Sequence, residues 1–177
     1  MLKVDKITDE DKSAITNLLN KSIEIEYSFI FNYPRMIDQL VNIEPIIQEK
    51  VAGQLEQLGK ESVQHAGWIM RLVENLGGEP VLPLEGINRI ADISALLLKQ
   101  LEKEKSAQSL FKEAKLIAEQ NQAEGILTWI KAMRSDSTDK SYSRSSTIHI
   151  LERLEIDEGR HVKIVQNLLS DLNLPMQ

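Results

Sequence analysis

The chain contains no cysteine. That excludes disulfides, thiolate nucleophiles, iron–sulfur clusters and a rubredoxin-type iron site within it. Aromatic residues make up only 5% of the 177 residues, with five prolines and eight glycines. No stretch alternates apolar and polar residues with period two, so a sheet has no sequence support. No apolar run approaches the roughly eighteen residues that a spanning helix needs, and residues 1–12 are too polar for a secretion signal. A soluble, cytoplasmic protein without a membrane partner is expected. Net charge is −6 and the pI about 5.2, with acids and bases interspersed. No basic patch suits a phosphate backbone, so nucleic acid is not an expected partner.

What is abundant is Leu, Ile, Glu, Lys, Gln and Ala, the composition of helices. The length suits one domain, and residues 1–177 are read as one. A first helix is predicted over 9–40, with Thr8 and Asp11 as a capping pattern and Ile15, Leu19, Ile23, Ile30 and Tyr33 as its apolar stripe. Pro34 should kink or interrupt it, while Met36, Ile37 and Leu40 can continue its stripe. A second helix is predicted over 44–76, with Pro45 in its first turn and Gly77-Gly78 at its end. Residues 77–89 read as an extended connection. A third helix is predicted over 90–121, and residues 122–134 either extend it or form a short helix of their own. Residues 135–146 are a Ser-rich loop, and a fourth helix covers 147–172. Four long helices with one long connection between the second and third give an all-α four-helix bundle with a crossover.

Each predicted helix interrupts its apolar stripe with an acid. Glu26 lies between Ile23 and Ile30; Glu61 and His65 fall among Leu55, Leu58, Ile69 and Leu72; Glu104 follows Leu97 and Leu101; Glu158 and His161 sit between Leu154 and Val165. One such Glu usually lies at a core edge or in an ion pair, and a lone His, such as His149, is usually a satisfied core residue. Four acids in one core are different. An ionised carboxylate in an apolar interior costs many kcal/mol unless it is protonated, paired or bound to a cation. Two of the three histidines follow an acid at same-face spacing on separate helices. Carboxylates plus imidazoles suit iron, manganese or zinc, and two acids plus two acid–His pairs is the donor pattern of dimetal bundles.

The wording of the motifs resembles bacterioferritin and the wider ferritin-like group, rubrerythrin-type di-iron proteins included. Glu104-Lys-Ser-Ala-Gln-Ser-Leu-Phe-Lys-Glu-Ala114 resembles the bacterioferritin third-helix motif, whose leading Glu bridges two irons. Asp157-Glu158-Gly159-Arg160-His161 resembles the second Glu-x-x-His motif, and Glu26 with Tyr33 resembles the first-helix ligand and its neighbouring core Tyr. His65-Ala66, followed by Leu76-Gly77-Gly78-Glu79-Pro80, is similar to the first motif and its exit. Three departures stand out. The first motif has Ser62 where its Glu would be, with Glu61 one residue earlier. Val63 stands where a haem-ligating Met would be, so no haem is expected. The stretch between Glu104 and Glu158 is longer than the family's, which favours a homodimer over a large cage.

The resemblance implies two iron ions, with manganese or zinc as substitutes. Glu26, Glu61 and His65 would serve one and Glu104, Glu158 and His161 the other. Tyr33 would supply an electron or a hydrogen bond, and Gln100 a supporting contact. Three functions follow as expectations: oxidation of Fe(II) by O2 or peroxide in iron handling or oxidative-stress defence; di-iron oxygenation of an organic substrate; or a non-enzymatic interaction module with a degenerate site.

Overall fold

The first helix begins, and the second ends, where the sequence gives the backbone another partner. A computed structural model describes residues 8–82, 93–120 and 147–172, and they form α1 (Asp9–Ile37), α2 (Pro45–Asn75), α3 (Ile93–Gln120) and α4 (Thr147–Asp171). No strand occurs among the described residues. The start expected for the third helix at residue 90, the 122–134 extension and the Ser-rich loop lie outside them.

At the start of α1 the Thr8 hydroxyl accepts the Asp11 N–H at 3.1 Å, and Asp9, Glu10 and Asp11 place negative charge at the positive end of the helix dipole. Pro34 does not end α1, which continues to Ile37. The proline forfeits one backbone hydrogen bond, while Tyr33 and Met36, both fully buried, hold the last turn against the core. A 3-10 turn over Leu40–Asn42 then reverses the chain, with Leu40 buried. Pro45 opens α2, where its missing N–H leaves nothing unpaired.

The two glycines after α2 do different jobs. Gly77 has φ +82°, the left-handed conformation that lets the chain leave the helix; its N–H bonds to the Glu74 carbonyl at 3.0 Å. Gly78 is where the chain passes α1: a Cβ there would fall 2.6 Å from Thr16 Cγ2. Beyond it, Asn20 holds the connection to α1, donating to the Glu79 carbonyl at 3.2 Å and accepting the Val81 N–H at 3.0 Å.

In the bundle, α1 packs on α2 and α3, and α4 packs on α3 and α2. The core is split into two apolar clusters. One contains Ile15, Leu19 and Ile23 of α1, Ile69 and Leu72 of α2, Ala107 and Phe111 of α3, and Leu151 and Leu154 of α4. The other contains Phe29 and Tyr33, Leu55 and Leu58, Leu97 and Leu101, and Val165 and Leu168. Along α1 and α4 the first cluster comes first; along α2 and α3 it comes last. So α2 and α3 run parallel, which puts the end of α2 and the start of α3 at opposite ends of the bundle, as the sequence leads one to expect. Between the clusters lies a buried polar layer: Ser22, Glu26, Ser62, His65, Gln100, Glu104, Asp157, Glu158 and His161. No helix among the described residues is long and apolar enough to cross a membrane.

Candidate metal centre

The polar layer exists because each stripe continues through it without a change of period. On α2 the buried residues run Leu55, Leu58, Ser62, His65, Ile69, Leu72, steps of three and four that keep one face inward. On α4 they run Leu151, Leu154, Asp157, Glu158, His161, Val165. Glu26 and Glu104 occupy the same level on α1 and α3, both fully buried.

The two imidazoles stack across the centre, ring centroids 5.4 Å apart and planes 21° apart. Each turns Nδ1 inward. His65 Nδ1 lies 2.9 Å from Glu158 Oε1 and 3.3 Å from Glu26 Oε1. His161 Nδ1 lies 3.4 Å from Glu104 Oε2 and 3.6 Å from Glu158 Oε1. Glu158 thus stands between both rings. Tyr33, also fully buried, donates a hydrogen bond to Glu104 Oε1, and its side chain lies against Gly59 of α2, where an added Cβ would meet the Tyr33 Cβ at 3.8 Å and its ring at 3.9 Å.

Each Nε2 faces outward to a second carboxylate. Asp157 Oδ2 lies 3.5 Å from His65 Nε2 and accepts from Arg153 Nε at 2.7 Å. Glu61 Oε2 lies 2.6 Å from His161 Nε2 and 2.6 Å from Arg160 Nη2, while Gln57 donates to its other oxygen at 3.0 Å. Arg160 also reaches Asp157 Oδ1 at 3.5 Å. Sequence spacing put Glu61 among the ligands; in the structure it approaches from the outer side of His161, with 21% of its side chain exposed. The residue of that turn at the centre of the stripe is Ser62, fully buried. Asp157 is a site residue that spacing alone missed, although it stands inside the Asp157–His161 motif. His149 is an exposed residue 3.5 Å from Glu152, not part of the core.

These contacts shift the protonation of the layer. For His65, burial favours the neutral ring, but hydrogen bonds to Asp157, Glu158 and Glu26 outweigh it and push its pKa up to about 12. His161 is raised as well, Glu104 and Glu61 outweighing its burial. Burial, reinforced by the charge of Glu26, holds the Glu158 carboxyl well above the usual range. Burial likewise raises Glu26 and, with Glu104 beside it, Tyr33. Asp157 and Glu61 are lowered because His65 with Arg153, and Arg160 with His161, overcome their burial.

This layer fits a divalent cation better than it satisfies itself. Glu26 Oε2, Glu104 Oε2, both Glu158 oxygens and His161 Nδ1 are buried without an aligned hydrogen bond among the described residues. Unmatched buried polar atoms of this kind cost on the order of 1–3 kcal/mol each. One ligand atom from each of His65, Glu158 and His161 lies within 4.8 Å of the others. Two imidazole nitrogens and several carboxylate oxygens form the mixed donor set of iron, manganese and zinc sites, and outer carboxylates on the remote ring nitrogens fix which nitrogen is presented.

A solved structure of a ferritin-like, diiron-carboxylate protein from Bacillus anthracis str. Ames is similar to this chain, with a TM-score of 0.66, 19% identity, and coverage of 90% of this chain and 97% of that one. No protein-family model and no curated protein matches the sequence. At that identity the likeness is one of architecture: the chain has the ferritin-like fold, an all-α four-helix bundle with its crossover between α2 and α3.

Proposed function

We propose that the polar layer is a carboxylate–histidine metal centre of di-iron type, and that the protein binds Fe(II) and oxidises it with O2 or peroxide in iron handling or oxidative-stress defence. The observation that supports this most is the pair of inward Nδ1 atoms stacked between three fully buried carboxylates. Glu26, His65, Glu104, Glu158 and His161 would hold the metal, with manganese or zinc able to replace iron. Each Fe(II) supplies one electron, so a pair reduces the oxidant by two electrons in a single site.

The protein's own groups prepare that site. Asp157 lies 3.5 Å from His65 Nε2 and Glu61 2.6 Å from His161 Nε2; with a proton held on each Nε2 toward these carboxylates, both rings would offer Nδ1 to the centre. In this reading Glu61 supports the metal through His161 rather than by direct ligation. Tyr33 fixes one oxygen of Glu104 and leaves the other free; were it to give an electron to the centre, its phenol proton would pass to Glu104 and a neutral tyrosyl radical would remain. Without metal, protons on the two imidazoles offset the buried carboxylates, and cation binding displaces them. The apolar clusters on both sides keep bulk water from the layer.

Metal analysis of purified protein, followed by Fe(II) addition in air with absorbance monitoring, tests the proposal. Bound iron and a rising ferric band are expected from the native chain and not from His161→Ala. Protein that binds no metal, or that responds identically after the substitution, would overturn it.

A further inference from the structure

The site has an internal two-fold plan with one position out of pattern. The α3–α4 half presents Glu104 with Glu158 and His161, and the outer carboxylate Glu61. The α1–α2 half presents Glu26 with His65, and the outer carboxylate Asp157. Three residues before His161 stands Glu158; three residues before His65 stands Ser62, equally buried. Bundles that hold two metals pair each His with a carboxylate at that spacing, so one inner carboxylate is lacking.

The charge count makes that matter. Two divalent cations would meet three inner carboxylates, leaving one positive charge uncompensated in a dry core, where such a charge is costly. Glu61 is not free to supply the difference. Its carboxylate is held by Arg160 at 2.6 Å, by His161 at 2.6 Å and by Gln57 at 3.0 Å. Asp157 is likewise held by Arg153 and Arg160.

Ser62 is not alone at its level. Gln100 lies one turn before Glu104 on α3, as Ser62 lies one turn before His65 on α2, and α2 and α3 run parallel. Both therefore stand on the Leu58 and Leu97 side of the layer, on helices that face each other across it rather than packing directly, with Tyr33 reaching from Gly59 to Glu104 on that same side. Both are fully buried, and Ser62 Oγ and both polar atoms of Gln100 make no hydrogen bond among the described residues. A hydroxyl and an amide of this kind can hold one carboxylate oxygen while the other turns to a metal.

We propose that Ser62 and Gln100 form a binding position for a small monocarboxylate, which supplies the missing anionic ligand of a second metal. The site then takes its last ligand from solution, which makes a small carboxylic acid its co-ligand or substrate class. This inference rests on the metal reading above.

The test titrates Co(II) into metal-free protein in a chloride-free, non-coordinating buffer, with and without excess acetate, and counts bound cobalt per chain by equilibrium dialysis. In the native chain acetate should tighten the second equivalent by about tenfold or more and leave the first nearly unchanged. Gln100→Leu, which replaces an unmatched buried amide by an apolar side chain of similar size, should keep the first equivalent and lose the acetate response. Ser62→Glu should bind both equivalents without acetate. Should Ser62→Glu fail to fold, the native and Gln100→Leu arms still decide. Cobalt binding that ignores acetate in the native chain overturns the inference and leaves the metal centre standing. Protein that binds no cobalt in either buffer overturns both.

Discussion

Glu158→Gln should move stability in opposite directions with and without metal. Glu158 is the inner carboxylate in contact with both imidazoles, 2.9 Å from His65 Nδ1 and 3.6 Å from His161 Nδ1. Removing its charge should weaken metal binding by about a hundredfold or more, or about 2.7 kcal/mol. In the native chain, metal at a hundred times its dissociation constant adds about 2.7 kcal/mol of stability. For a domain of this size 1 kcal/mol corresponds to about 2–4 °C, so the melting temperature should rise by roughly 5–10 °C. At that same metal concentration the variant, now near its own dissociation constant, should gain about 0.4 kcal/mol, or roughly 1–2 °C. Without metal the sign reverses. Burial already disfavours the ionised Glu158, so a neutral amide of the same shape should leave stability unchanged or raise it by about 1 kcal/mol, the usual trade between a functional site and stability. Scanning calorimetry of both proteins, metal-free and anaerobically loaded with Mn(II), reads all four values. A full metal-dependent rise in the variant, or a metal-free variant destabilised by more than about 2 kcal/mol, would refute the reasoning and make Glu158 a structural residue.

Asp157→Asn should cost about ten- to a hundredfold in metal affinity, because His65 loses the acceptor that keeps Nδ1 inward; an unchanged binding isotherm would remove Asp157 from the site. Metal affinity should rise with pH while metal-free stability falls. The folded pKa of His65, pushed up to about 12 from 6.5, gives stability that is full below about 6.5 and is lost progressively as pH climbs toward 12. Metal displaces those same protons, together with any that burial keeps on Glu158, so at least about two protons released per loaded chain are expected at neutral pH by calorimetry in buffers of different ionisation enthalpy; zero release would contradict protonated imidazoles. Tyr33→Phe should lose about 1 kcal/mol of stability in denaturant titration and slow Fe(II) oxidation at unchanged metal stoichiometry; an unaffected rate would restrict Tyr33 to packing.

Much of this was legible from residue spacing. Glu26, Glu104, Glu158, His65 and His161 stand out because each breaks an apolar stripe without breaking its period, and the structure brings all five into one layer. Gly77-Gly78 marked the end of α2 for the conformational reason seen at φ +82°. The inner half of the Ser62 turn was harder. Glu61 and Ser62 both lie within about 60° of the His65 direction on a helical wheel, and a search for acids selects Glu61. Which of them points inward depends on how α2 is rotated about its axis, and that is set by Leu55, Leu58 and Ile69 packing on other helices. Arg153 meets Asp157 within α4 at i,i+4, a pair the spacing does offer, but the approach of Asp157 to His65 and of Glu61 to Arg160 and His161 joins α2 to α4, which no single-helix pattern specifies. Pro34 carries a real local penalty, yet the stripe continues past it in the sequence, and the buried Tyr33 and Met36 hold that last turn in the structure.

Anomalous diffraction from crystals of the native chain, loaded with Fe(II) or Mn(II) without oxygen, tests the central claim most directly. A peak between His65 Nδ1 and His161 Nδ1, within about 2.0–2.3 Å of one ring nitrogen and a carboxylate oxygen of Glu26, Glu104 or Glu158, is the expected result. Metal found only on surface carboxylates, with none in the polar layer, would contradict it.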